Sequence, residues 1–95
     1  LEESKIERKL KKEVELIGGK AIKFVSPGMS GVPDRIVLLP EGRIYFVELK
    51  APKEKLRALQ EYRKKQIEQL GFNVFCIDTY EKIDEFIREV KTIVI

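Results

Sequence analysis

Glu48-Leu49-Lys50 sets a carboxylate and an ammonium two positions apart at the end of an otherwise apolar run, Ile44-Tyr45-Phe46-Val47. If this run is a strand, alternation puts both charges on one face, about 7 Å apart. A charged pair at the mouth of an apolar strand is either an ordinary salt bridge or a site. The tripeptide alone does not decide, because Glu-x-Lys occurs four times in the chain, at 3–5, 7–9, 48–50 and 89–91. The other three copies fall in segments that read as helices, where the two side chains diverge. A second carboxylate, Asp34, follows Pro33 just ahead of the apolar run Ile36-Val37-Leu38-Leu39. If the chain turns at 40–43, Asp34 returns to the neighbourhood of residues 48–50. Two carboxylates at one point favour a hard divalent cation, Mg²⁺ or Mn²⁺. Such an ion can hold a phosphate oxygen and make a bound water a better nucleophile at neutral pH. Lys50 could then position that water or stabilise negative charge on a phosphorane-like transition state.

The convergence depends on the turn. A two- or four-residue loop centred on Glu41-Gly42 pairs Asp34 with Leu49, on the wrong face, whereas a three-residue loop pairs it with Glu48 or Lys50. A bulge after Pro33 would also bring it round.

Composition narrows the alternatives. The 95 residues contain no histidine, which removes Ser/His/Asp and Cys/His catalysis and the usual zinc sites. The one cysteine, Cys76, excludes an internal disulfide and sits in the apolar run Val74-Phe75-Cys76-Ile77, where a small buried core residue is expected. No apolar run approaches the roughly 20 residues that span a bilayer. No apolar stretch precedes a recognisable cleavage site, so a cytoplasmic setting and no membrane partner are expected. A net charge of +3 and a pI near 9.0 are compatible with nucleic acid but do not single it out. Length and 43% hydrophobic content suit one domain over residues 1–95.

The elements that must position these groups follow from periodicity. Ile6, Leu10, Val14 and Ile17 recur on one face of a helix over 2–17, stopped by Gly18-Gly19. Residues 21–25, 36–39 and 44–50 read as strands, the latter two apolar on both faces and so expected in a sheet covered on both sides. Ser26 to Gly31 is a loop by composition. A helix over 55–70 should bury Leu56, Leu59, Ile67 and Leu70, and a strand over 73–77 follows. Asp78-Thr79 can cap a last helix over 81–90 that buries Ile83, Phe86, Ile87 and Val90. Thr92 to Ile95 could be an edge strand, an interface segment or a docked end. The strand–helix–strand passage from 44 to 77 predicts a right-handed crossover, and the first three strands a meander. The fold class is therefore α/β (α+β mixed): an αβββαβα core with a mixed four-stranded sheet flanked by helices.

Two motifs carry a resemblance. The run from Phe24 through Ser26-Pro27-Gly28-Met29-Ser30-Gly31-Val32-Pro33-Asp34-Arg35 to Pro40, then Phe46-Val47-Glu48-Leu49-Lys50-Ala51-Pro52, closely resembles the VRR-NUC family of the PD-(D/E)XK nuclease superfamily. The likeness extends to Ile6-Glu7, Gln60, Leu70-Gly71 and Val74 to Asp78, nearly the whole chain, and domains of this size look like virus- or prophage-encoded members. It implies a restriction-endonuclease-like fold and Mg²⁺- or Mn²⁺-dependent hydrolysis of DNA. Asp34 and Glu48 match the metal-binding pair and Lys50 the catalytic lysine. Leu49 would offer its backbone carbonyl to the metal, and Glu7 matches the helix-borne glutamate that completes the site, often through water. The small members are similar to Holliday-junction resolvases, which implies branched DNA as partner and a homodimer.

The residues themselves add detail. Glu7 lies about 20° beyond Val14 on a helical wheel, at the edge of the apolar stripe, and can reach the sheet's mouth. Glu3, one turn earlier, is its rival and reads as a solvated first-turn glutamate. Gln60 falls inside the stripe of the second helix, and a buried amide needs partners. It is expected to support Lys50 or Glu48 or to bond the strand backbone. Lys23, Ser26, Ser30, Arg35 and Lys53 are candidates for phosphate contacts, with Lys55 and Arg63 nearby. Two other readings stay open: a DNA-binding module that keeps the fold without catalysis, and a structural domain whose Glu48–Lys50 pair is a salt bridge.

Overall fold

The computed structural model describes residues 2–52 and 54–91. Lys53 and the segment Thr92 to Ile95, two of the positions singled out above, lie outside the described residues.

The first helix, α1 (Glu3–Leu16), turns Ile6, Leu10 and Val14 inward, and all three are fully buried. It ends where the Gly18 and Gly19 amides fold back onto Glu15 and Val14 carbonyls. The strands are β1 (Lys20–Lys23), β2 (Arg35–Leu39), β3 (Arg43–Leu49) and β4 (Asn73–Ile77). Helix α2 (Ala58–Gln69) connects β3 to β4, and α3 (Tyr80–Lys91) follows β4. The element order is the expected αβββαβα, and the sheet runs β1-β2-β3-β4, antiparallel except for the parallel β3–β4 pair.

One face of the sheet carries the core. Val37, Leu39, Val47, Leu49 and Ile77 pack against Ile6, Leu10 and Val14 of α1 and Ile83, Phe86, Ile87 and Val90 of α3. Thr79 caps α3 by accepting the Lys82 N–H at 3.1 Å, as its sequence position suggests. The opposite face differs from expectation. It is lined by Phe24, Phe46 and Phe72, whose rings meet in sequence at 5.9 and 5.7 Å. Only part of it is covered: Ile22, Leu38, Ile44 and Phe72 keep 42, 38, 41 and 42% of their surface exposed.

The incomplete cover traces to α2. This helix starts at Ala58 rather than 55, because Gln60 Oε1 accepts the Arg57 N–H at 2.9 Å and so fixes the first turn there. Its expected stripe is not buried either. Leu59 and Leu70 are 44 and 76% exposed, and Gln60 is the buried residue of the helix. A helix that packs chiefly on the edge strand β4 cannot shield the centre of the sheet.

Candidate active site

The turn between β2 and β3 decides the site. Pro40–Gly42 makes a three-residue connection, with Glu41 and Gly42 both in the left-handed region at φ 68° and 73°. The resulting register pairs Leu39 with Arg43 and Arg35 with Val47. One further step sets Asp34 opposite Glu48, on the same face.

Asp34 is braced from two sides. Its backbone carbonyl accepts the Phe24 N–H at 2.8 Å, which ties it to the end of β1. Its carboxylate Oδ2 accepts the Leu49 N–H at 2.9 Å, which ties it to β3. The Lys50 N–H goes the other way, to Ile77 of β4 at 3.0 Å. A strand residue sends its N–H and C=O to the same side, so the Leu49 carbonyl also faces Asp34.

Glu48 is 3% exposed, and among the described residues its buried Oε1 has no hydrogen-bond partner. Burial, a hydrogen bond to Asp34 and the Asp34 charge push its carboxyl up to about 8, with Lys50 pulling the other way. Among the described residues no ion pair within 4.0 Å joins Glu48 to Lys50, so the salt-bridge reading of this tripeptide finds no support in the geometry.

A polar cavity of about 270 Å³ opens beside the pair, lined by Glu3, Glu7, Lys23, Phe24, Asp34, Arg35 and Leu49. Glu7 reaches it, but its carboxylate is held in an ion pair by Arg35. The two side chains belong to the α1-covered face, whereas Glu48 points to the other. Glu3 lines the cavity as well. Its carboxyl is raised by loss of solvent, then by Asp34, Glu54 and Glu7, and Lys50 opposes. Helical position alone favoured Glu7, but it could not show that Arg35 holds its carboxylate, because Arg35 comes from a distant part of the chain.

The remaining candidates divide. Lys23 and Arg35 line the cavity, and Arg35, its side chain 14% exposed, pairs with Glu7 while its Nε has no hydrogen-bond partner among the described residues. The Gln60 carbonyl oxygen serves its own helix start, not the strand. Ser26 and Ser30 sit on a loop docked against α2: Arg63 Nε donates to the Ser30 carbonyl at 2.7 Å. Gly31, at φ +84°, lies so close to Leu59 that a Cβ would come within 2.9 Å of its carbonyl oxygen. Cys76 stands opposite Glu48 in the parallel register but is exposed, which corrects the expectation of a buried thiol. It faces the side of the sheet that α2 leaves partly open. Its thiol is raised, chiefly by desolvation and then by Glu48, so it is no activated nucleophile.

The donor set suits a hard cation. Glu48 offers an orphaned buried oxygen, Asp34 a second carboxylate and Leu49 a carbonyl, all hard ligands. Among the described residues no three acidic or cysteine side chains are gathered tightly enough to hold a metal alone, so water would have to complete such a set.

Comparison with known proteins identifies the family. A protein named "Putative nuclease p44", from Acyrthosiphon pisum secondary endosymbiont phage 1, is 48% identical over 81 residues, covering 85% of this chain and 87% of its own. A solved structure described as a VRR_NUC domain superposes with a TM-score of 0.85 at 32% identity, covering 90% of this chain and 94% of its own. The chain belongs to the VRR-NUC family. No family model matches it. As a nuclease of the VRR-NUC type, it owes its carboxylate pair to the β2–β3 hairpin, a local element whose register a single turn sets. No helix among the described residues is long and apolar enough to cross a membrane.

Proposed function

We propose that this VRR-NUC nuclease hydrolyses phosphodiester bonds of DNA with Mg²⁺ or Mn²⁺, in an intracellular setting. The observation that carries the reading is Glu48: a buried carboxyl with an orphaned oxygen, opposite a second carboxylate. Two such groups repel when both are ionised, and a divalent cation relieves that repulsion. Asp34, Glu48 and the Leu49 carbonyl would hold the ion, with Glu7 acting through water. When bound, the ion supplies Lewis-acid polarisation of the scissile phosphate and a more acidic water.

The chain's own groups do the rest. Asp34, braced by Phe24 and Leu49, keeps its oxygens in place without reorganisation. Lys50, unpaired with Glu48, is left to stabilise charge developing on the phosphate oxygens. Arg35 orders Glu7 beside the cavity. Gln60, whose oxygen caps α2, would support the site through its amide nitrogen.

The preferred substrate under this reading is branched DNA such as a four-way junction, cut by a homodimer. A two-fold dimer matches the symmetry of a junction and sets two sites on opposed strands. The half-exposed apolar residues Ile22, Leu38, Ile44 and Phe72 support a self-associating surface. The test is cleavage of linear duplex, flap, splayed and four-way-junction DNA with Mg²⁺ or Mn²⁺, run beside Asp34→Ala, Glu48→Ala and Lys50→Ala. Equal activity in all four proteins would sink the mechanism. Equal cutting of duplex and junction would sink the branched preference alone.

A further inference from the structure

A second, larger cleft of about 430 Å³ lies between α1 and β1. Its floor is Leu10 and Ala21, and its cations are Lys11 from α1 and Lys20 and Lys23 from β1, with Arg35 at one end. None of these three lysines joins an ion pair among the described residues. Of the two acids in the cleft, Glu7 is neutralised by Arg35, and Glu15 lies one turn beyond Lys11. The cleft adjoins the cavity beside Asp34, and Glu7, Lys23 and Arg35 line both. Among the described residues β1 is also an edge strand, with no further strand paired to its outer backbone edge.

We infer that this cleft is the track along which one DNA strand's phosphates run into the cavity beside Asp34 and Leu49, with Lys11 and Lys20 as its outer contacts. The inference rests on the nuclease reading and adds the path of the substrate. Lys23 turns to the α1-covered face beside Arg35, whereas Lys20, three residues along, turns to the other, so the two flank the outer edge of β1 with Lys11 across the cleft. The path leads along the outer edge of β1 beside α1, and not over the Ser26–Gly31 loop, whose Ser30 carbonyl is held by Arg63 on α2. A second basic surface exists, with Lys5, Arg8 and Lys12 against Tyr80, but it has no lining residue in common with the catalytic cavity. It therefore serves as an internal control.

The experiment measures DNA affinity against salt, in EDTA so that nothing is cut. Wild type is compared with Lys11→Gln/Lys20→Gln and with Arg8→Gln/Lys12→Gln, which removes the same charge from the other side of α1. Each lost phosphate contact reduces the slope of log K against log salt by roughly 0.9. The Lys11/Lys20 pair should therefore lower the slope by about 2 and weaken binding at ~0.1 M salt more than tenfold. The Arg8/Lys12 pair should leave the slope nearly unchanged. An unchanged slope for the Lys11/Lys20 pair overturns the track, and so does an equal loss for both pairs, which would mean diffuse attraction. If wild type neither binds nor cuts DNA, the nuclease reading itself falls. If it binds and cuts, and only the Lys11/Lys20 effect is missing, the track alone falls.

Discussion

Asp34 Oδ2 accepts the backbone N–H of Leu49 at 2.9 Å, so one carboxylate both anchors the hairpin and faces Glu48. The two roles separate by substitution. Asp34→Asn keeps an acceptor for Leu49 and removes the charge, so folding stability should hold while cleavage falls by ~100-fold or more. Asp34→Ala leaves the amide unmet and should cost a further ~1–3 kcal/mol in urea unfolding. Equal stability of the two variants would show that the anchoring bond contributes nothing.

Glu48 gives the metal-free protein a characteristic pH dependence. Its carboxyl is raised from an ordinary value near 4.5 to about 8, first by burial and then by Asp34. The folded state therefore binds a proton that the unfolded chain releases. That contribution is complete below about pH 4.5 and is lost as pH rises through about 8. Urea midpoints in EDTA should fall between pH 5 and 8 and flatten in Glu48→Gln. Cation binding at pH 7 should also release close to one proton, read by calorimetry in two buffers of different ionisation enthalpy. Parallel pH profiles for the two proteins would refute the assignment.

Lys50 is half-buried and makes no ion pair with Glu48 among the described residues. Lys50→Met should therefore change stability by less than ~0.5 kcal/mol and leave cation affinity within a few-fold. Its cleavage rate should nevertheless drop by ~100-fold or more. A large stability loss with little effect on rate would restore the structural salt bridge.

Glu7 and Glu3 can be told apart by what each supports. Arg35 is 14% exposed and depends on Glu7, so Glu7→Gln leaves a largely buried guanidinium without its counter-charge. The expected cost is ~1–3 kcal/mol, between that of an exposed and a buried pair. Glu3→Gln should leave stability unchanged, since no ion pair holds Glu3 among the described residues. Cleavage should suffer more from Glu7→Gln. If Glu3→Gln proves the more damaging to cation affinity, the water-mediated role belongs to Glu3.

Local pattern carried much of the architecture. The spacing of Ile6, Leu10 and Val14 and of Ile83, Phe86, Ile87 and Val90 places two helices and their buried faces, because a helix repeats every few residues and its core contacts do too. The stripe of α2 misled. Leu59 and Leu70 have helical spacing, but nothing in the chain said how much sheet would lie beneath them. Cys76 failed because it lies on β4, and which strand stands at the sheet's edge is a matter of tertiary order.

By itself the sequence determined the element order, the two motifs around Asp34 and Glu48-Leu49-Lys50, and the family to which they belong. Residue types and short spacings are local properties, and they survive any uncertainty about packing. Only the tertiary structure decided that the 40–42 turn has three residues and so brings Asp34 to the face of Glu48. Only it gave Glu7 to Arg35 and opened a lysine-lined cleft between α1 and β1. Each of these depends on a register or a contact between distant segments, where a shift of one residue reverses the face, and no local pattern encodes that shift.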